Sequence, residues 1–290
     1  MKEKPKGAAV RFIRLLQAIA HPDWRGQAVA SSLSGLLKII RPRAKRIDSN
    51  LRLIHPDWDE ARRRDIRRGV YENLAWTVTE LLALQRDELQ AFDWITEVQG
   101  GEIFDSLLSS PRGAVILTGH FGNWELLGSW FAQKAKRQGR QLYVVYQEIH
   151  DLNISHLVTE YRERGGMKTL LKETSTLEMV RMLKGGALIA ILTDVSWGGG
   201  AVLPFMGQLC TNSLGPAVLA MLSGVPLVPL ALYRQAPFCH TVRFLPPFFI
   251  SRDGSREERL KQTVLNINHA LETLIEPRPE LWFWLHNRWK

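Results

Sequence analysis

Within the stretch AVILTGHFGNWELLG (114–128), a histidine and a carboxylate stand five residues apart, His120 and Glu125. These are the residue types needed to take a proton from an alcohol. A carboxylate that accepts the hydrogen bond of one imidazole nitrogen fixes the tautomer and makes the other nitrogen a better base. Such a dyad could activate a hydroxyl for attack on a thioester, a step in which general-base help contributes about 10²- to 10⁴-fold. Along one continuous helix, five residues separate two side chains by about 140°, so the pair makes sense only across a junction between elements.

The flanking residues supply that junction. Ala114-Val115-Ile116-Leu117-Thr118 is short, apolar and β-branched, and Gly119 follows it, which predicts a core strand. Asn123 is placed to cap a helix carrying Trp124, Glu125, Leu126, Leu127, Trp130 and Phe131, with Lys134, Lys136 and Arg137 ahead of a closing Gly139. His120 then lies in the turn at the carboxyl end of a strand, where open α/β sheets place their ligands. A second match, His55 and Glu60, lacks a preceding strand. Acidic residues number 29 of 290 and histidines 8, so about one His-x4-Asp/Glu match arises by chance. HPDWDEARRRDIRR therefore reads as a turn capping a basic helix.

Stepping outward, residues 1–98 read as a helical, basic, membrane-associating region and 99–290 as an α/β core. Strand-like runs at 114–118, 142–146, 187–193, 225–233 and 241–245 alternate with helical patterns there. Asp194 ends one of these strands, on the sheet edge expected for His120, and Trp197-Gly198-Gly199-Gly200 follows as a loop. The uncharged run 195–233 is long enough to span a bilayer, but its prolines argue otherwise. Pro216 suits the first turn of a helix, Ser223-Gly224 its end, and VPLVPLALY a strand.

Net charge is +9, which suits an anionic partner such as a membrane surface or an acidic protein. Lys38, Arg41, Arg43, Lys45, Arg46, Arg52, Arg62, Arg63, Arg64, Arg67 and Arg68 crowd one stretch with aliphatic residues interleaved, as at lipid headgroups. Nucleic acid is disfavoured, since no zinc-finger spacing or RNA-recognition aromatic motif occurs. AAVRFIRLLQAIA, broken by Arg11 and Arg14, reads as an amphipathic helix rather than a signal peptide. Of the ten tryptophans, core packing is the default; Trp282, Trp284 and Trp289, near the basic C-terminus, are those best placed for a membrane interface. Cys210 and Cys239 make no metal-ligand spacing, so no metal is expected, and no G-x-S-x-G elbow points to a serine esterase.

HFGNWE, LTDVSWGGGAVLPFMG, LGPAVLAMLSGVPLVPLALYR, RPELWFWLHNRWK and the basic segment RAKRIDSNLRLIHPDWDEARRRDIRRGVYENLAWTVTELL together resemble the bacterial lipid A acyltransferases, the lauroyl and myristoyl transferases, in the same order along nearly the whole chain. The resemblance implies a mixed sheet flanked by helices, a glycerol-3-phosphate acyltransferase-like core with a helical N-terminal extension. It implies transfer of a fatty acyl chain from acyl carrier protein or a coenzyme A thioester, acting as co-substrate without a further cofactor, to a hydroxyl of a lipid A precursor or related membrane glycolipid. The place would be the cytoplasmic face of the inner membrane.

His120 becomes the base and Glu125 the residue that orients it, with Asn123, Asp194, Phe205, Gly207 and Arg164 as candidate substrate-binding residues. The oxyanion would fall to backbone N–H groups or a nearby cation. Trp124, Leu127, Trp130 and Phe131 are candidate walls of an acyl slot.

The sequence departs from the family's pattern in two places. The family usually carries an N-terminal transmembrane anchor, so peripheral attachment is expected here. It also commonly has an arginine soon after a tyrosine, where Tyr146 is followed by Gln147 and Glu148; Arg162, Arg164 or Arg181 would have to substitute. Other acceptors (a lysophospholipid, an aminolipid, a phosphatidylinositol mannoside) and a non-catalytic lipid- or acyl-carrier-binding module are the alternatives.

Overall fold

The structure is a computed structural model and describes residues 8–84, 93–147, 151–195 and 200–289. Four helices open the chain: α1 (Ala8–Ile19), α2 (Trp24–Ile40), α3 (Ala44–Ile54) and α4 (Glu60–Leu84). Then come β1 (Ile95–Gln99), α5 (Gly101–Ser109), β2 (Ala114–Thr118), α6 (Trp124–Arg137), β3 (Leu142–Tyr146), α7 (Leu152–Arg164), β4 (Lys168–Leu171), α8 (Thr176–Lys184) and β5 (Leu188–Leu192). A hairpin of β6 (Ala201–Phe205) and β7 (Gln208–Asn212) precedes α9 (Gly215–Ser223), β8 (Leu227–Ala236), β9 (Cys239–Phe244), α10 (Arg256–Ile275) and a 3₁₀ turn, Pro279–Leu281.

Seven strands form one sheet in the order β1-β9-β8-β2-β5-β3-β4, parallel except where β8 meets β9. This is the expected mixed α/β fold. β2 lies inside it with all five residues buried, each in register with one residue of β5 from Leu188 to Leu192. A strand covered on both faces reads as a continuous apolar run, which is why this one was legible. The strands beyond those expected are short or polar: β1 is ITEVQ and β4 is KTLL at opposite sheet edges, and β6 carries Pro204. The change from helix to sheet falls at β1, just ahead of residue 98.

The uncharged run 195–233 is divided among β6, β7, α9 and the start of β8, with Pro216 in the first turn of α9 and Gly224 ending it at φ 69°. Among the described residues no helix is long and apolar enough to cross a membrane. The expected Trp197–Gly200 loop lies, but for Gly200, outside the described residues.

The N-terminal helices share a core with the sheet. Ile47, Leu51, Val70 and Tyr71 pack with Phe121, Phe205, Tyr233, Trp282 and Trp284. Trp282 and Trp284 are fully buried and so do not lie at an interface, while the half-buried Trp289 donates its indole N–H to the Phe205 carbonyl at 3.1 Å.

On α4, the buried polar residues Asn73, Thr77 and Glu80 follow i, i+4, i+7 spacing and so share one face. Arg234 of β8 grips Glu80 through two hydrogen bonds of 2.9 and 2.8 Å, while His240 Nε2 lies 3.0 Å and Asn123 Nδ2 2.9 Å from its oxygens. Burial by itself raises the Glu80 pKa, but Arg234 and His240 outweigh it and hold the carboxyl well below the usual range. Removing one member of a buried ion pair leaves the other charge uncompensated, so Glu80→Ala should lose about 3–5 kcal/mol in urea unfolding. A depressed folded-state pKa gives stability that is present above the unfolded value near 4.3 and lost as pH falls below it. Glu80→Gln should accordingly be less stable at pH 7 and show a flatter acid limb than wild type; an unchanged acid limb would exclude this contribution.

Candidate active site

Residues 119–123 join β2 to α6 and carry His120. The first constraint is Gly119, where a Cβ would stand 2.9 Å from Asp194 Oδ2. The absence of a side chain lets the strand-end aspartate, which follows β5, close onto this loop. Asp194 Oδ2 accepts the His120 backbone N–H at 2.7 Å, Asp194 Oδ1 lies 2.9 Å from His120 Nδ1, and the Trp282 indole N–H donates to Oδ2 at 2.9 Å. Asp194 is completely buried. Burial alone raises its pKa, but His120 facing it and the hydrogen bonds it accepts outweigh burial and hold the carboxyl well below the ordinary range. An ionised Asp194 fixes the proton of His120 on Nδ1 and leaves Nε2 as the basic nitrogen.

The carboxylate on His120 is thus Asp194, which corrects the expectation of a His120–Glu125 pair. Glu125, buried in the first turn of α6, is taken by Arg162 of α7 through bonds of 2.9 and 2.5 Å, and accepts the Trp124 indole N–H at 3.2 Å. The reason is the junction itself. The strand end brings Asp194 to within hydrogen-bond range of both the main chain and the ring of His120, while Glu125 pairs with the arginine that α7 sets against α6. Arg162, one of the three expected substitutes for the missing family arginine, therefore reaches the site.

The other candidates divide. Asn123 is fully buried; its oxygen caps α6 at the Leu126 N–H, 3.0 Å away, and its amide holds Glu80, so it positions the loop. Phe205 is completely buried in the core, stacked 6.0 Å from Trp289 and covered by the Arg288 guanidinium at 5.0 Å. Gly207, exposed at the β6–β7 turn with φ 74°, borders a groove with His55, Trp58 and Glu272, remote from the His120–Asp194 pair in its lining. Arg164 is exposed and pairs with Glu160 on its own helix, so it does not stand with Glu125 and His120. His55 ends α3 and stacks on Trp58 at 3.7 Å, as a turn residue should.

A narrow apolar slot runs between α6 and the sheet. Its walls include Ile116, Leu127, Phe131, Met167, Ala190 and Leu230, with Trp124, Glu125 and Arg162 at its polar part. Trp124, Leu127 and Phe131 line it as expected. Trp130 does not; it stacks on Phe104 at 5.0 Å in the core.

The C-terminal segment completes the site, and sequence reasoning assigned it no role there. Gly122 N–H donates to Leu281 O at 2.9 Å and Phe283 N–H to His120 O at 3.0 Å, so the segment lies antiparallel along the loop. Gly122 sits at φ 56° with Leu232 O where a Cβ would be, 1.9 Å away. Thr77 and Asn73 of α4 hold Gly122 O and Leu281 O at 3.0 Å each. This brings Trp282 to Asp194 and the His286 ring to 4.9 Å from that of His120. The signal was present in the block RPELWFWLHNRWK, but its tryptophans pointed to packing or a membrane and its histidine had no neighbouring carboxylate. No group of three or more His, Cys, Asp and Glu fit to hold a metal occurs among the described residues.

Comparison with known proteins identifies the family. The family of bacterial lipid A biosynthesis acyltransferases matches residues 10–290. The chain is 26% identical to the lipid A biosynthesis lauroyltransferase of Escherichia coli K12 over 259 residues, covering 88% of this chain and 81% of that protein. It is 22% identical to the lipid A biosynthesis palmitoleoyltransferase of the same organism over 258 residues, covering 86% and 81%. A phosphatidylinositol mannoside acyltransferase of Mycobacterium tuberculosis H37Rv is 26% identical over 137 residues, 46% of this chain and 42% of that protein. With the match running through the helical region, the sheet and the C-terminal strap alike, the chain belongs to the bacterial lipid A biosynthesis acyltransferase family and is an acyltransferase of that type.

Proposed function

We propose that this chain transfers a fatty acyl group from the thioester of acyl carrier protein or coenzyme A to a hydroxyl of a lipid A precursor or a related membrane glycolipid, with His120 as general base. The observation that carries the reading is the 2.9 Å contact between His120 Nδ1 and the buried Asp194 carboxylate, beside an apolar slot. His120 Nε2 takes the acceptor hydroxyl proton, the oxygen attacks the thioester carbonyl carbon, and the C–S bond breaks as the thiolate recovers the proton from His120. Asp194 orients the ring and stabilises the imidazolium without taking the proton. Glu125 acts one step away, by holding Arg162 where the head of the acyl chain would enter the slot. The chain would part walls that are closely packed in this structure, and Met167, unbranched and flexible, suits that movement.

Surface character supports a lipid substrate. Phe12, Leu15, Ile19, Trp24, Leu36, Ile39 and Ile40 are exposed on α1 and α2. Arg11, Arg14 and Arg25 stand among them and Lys38 to Arg46 follow, a combination suited to an anionic bilayer surface. We assign peripheral attachment at the cytoplasmic face of the inner membrane to this region, and docking of the acidic carrier protein to the basic charge excess.

Assays with acyl carrier protein and coenzyme A thioesters against lipid A precursors, lysophospholipids and mannosides test donor and acceptor together. His120→Ala should abolish transfer. Asp194→Asn, nearly isosteric, should lose about 10²- to 10⁴-fold in kcat, and Glu125→Gln markedly less. The reverse ranking would return the orienting role to Glu125. At Gly128 a Cβ would meet Met167 Sδ at 2.5 Å, so Gly128→Ala should narrow the slot and shift preference toward shorter chains, by roughly tenfold for two methylenes. An unchanged chain-length profile would place the acyl group elsewhere. Flotation with anionic vesicles should bind the wild type and lose Phe12→Asp/Leu15→Asp; equal binding of both would remove α1 from the interface.

A further inference from the structure

The acyl-transfer step leaves the developing oxyanion without an assigned partner, and Arg162 is already engaged by Glu125. His286 stands nearby. Its ring centroid is 4.9 Å from that of His120 at 68°, and 4.7 Å from Phe283. Its main chain is pinned: Asn50 Nδ2 donates to His286 O at 2.9 Å and to Trp284 O at 3.0 Å, and Arg43 donates to Leu285 O at 3.3 Å. None of this scaffolding uses the imidazole. Its Nε2 is buried and, among the described residues, has no hydrogen-bond partner. Native structures rarely leave a buried polar atom unsatisfied without a functional reason.

The charged groups around the ring are His120, Asp194, Arg43 and Arg288. Burial, followed by the facing His120, pushes its pKa down to about 4 against the pull of Asp194. At neutral pH the ring is uncharged, with a single N–H. Since Asp194 occupies Nδ1 of His120, a reacting oxygen must meet the Nε2 side of that ring, with His286 alongside.

We propose that His286 is a second catalytic residue, whose Nε2–H donates a hydrogen bond to the thioester carbonyl oxygen as negative charge develops there. This rests on the acyl-transfer reading above. As the acceptor oxygen bonds to the carbonyl carbon, the C=O π pair moves onto oxygen, and the His286 proton stays on nitrogen throughout. Collapse restores the C=O bond, breaks C–S, and sends the thiolate out with the proton held by His120. A fixed donor that is unpaired before reaction and paired in the transition state gives selective stabilisation.

The test is steady-state kinetics of the full chain with lauroyl thioesters of acyl carrier protein and coenzyme A and a lipid A precursor, with His120→Ala as control. His286→Ala should lower kcat by about 10²-fold with KM for both substrates nearly unchanged. His286→Gln, whose amide N–H falls near the position of Nε2–H, should recover at least about tenfold of that loss and keep the wild-type pH profile. Both variants near wild-type kcat, a loss confined to acceptor KM, or a natively folded Gln variant with no recovery would each overturn the role of His286 alone. A wild type inactive with every donor and acceptor would overturn the acyl-transfer reading and this proposal with it.

Discussion

A single buried carboxylate organises this site. Asp194 accepts from the main chain and faces the ring of His120 while also binding the indole of Trp282, so its contacts tie together the loop after β2 and the C-terminal segment. An ionised group with no exposure is tolerated only when hydrogen bonds satisfy its oxygens. Meeting that requirement forces β2 and β5 to end side by side, forces residue 119 to lack a side chain, and forces the C-terminus to return to the sheet edge. The orientation of the His120 ring thus follows from the cost of burying an aspartate.

The helical layer serves the same end from the opposite side. Glu80 holds Asn123, which caps the helix after the His120 loop, while Thr77 and Asn73 hold carbonyls of the loop and of the C-terminal strap. Arg234 ties this face of α4 to the antiparallel strand β8. Without α4 the loop would lose its anchor on Gly122 and the cap of α6 its support. The N-terminal helices therefore help hold the loop that carries His120, and in the proposed reading they also meet lipid. The two tasks fall on different faces: buried polar residues at i, i+4, i+7 on α4, exposed apolar residues on α1 and α2.

What could be read in the sequence follows from how local each signal is. The β2 strand, the turn at His120, the Asn123 cap and the α9 helix between Pro216 and Gly224 rest on neighbours in the chain, and each stands where its residues place it. Asp194 was placed on the correct sheet edge by the same logic. Its partner could not be read, because spacing pointed to Glu125, five residues from His120, whereas sheet register brings together residues 74 apart. Arg162 against Arg164 was a choice between opposite sides of one helix, about 200° apart for two residues, which polar spacing alone does not make. His286 and Trp282 reach the site only through the closing strap, more than 160 residues downstream. Phe205 belonged to a motif and was read as a contact, but the tryptophans that bury it come from that same strap.

The central claim is that Asp194, and not Glu125, sets the tautomer of His120. Nitrogen-15 NMR of the imidazole, with the folded protein labelled at histidine, reads this directly. His120 should carry its proton on Nδ1 in the wild type and in Glu125→Gln, and this preference should be lost in Asp194→Asn. A tautomer that survives Asp194→Asn and changes in Glu125→Gln would contradict it.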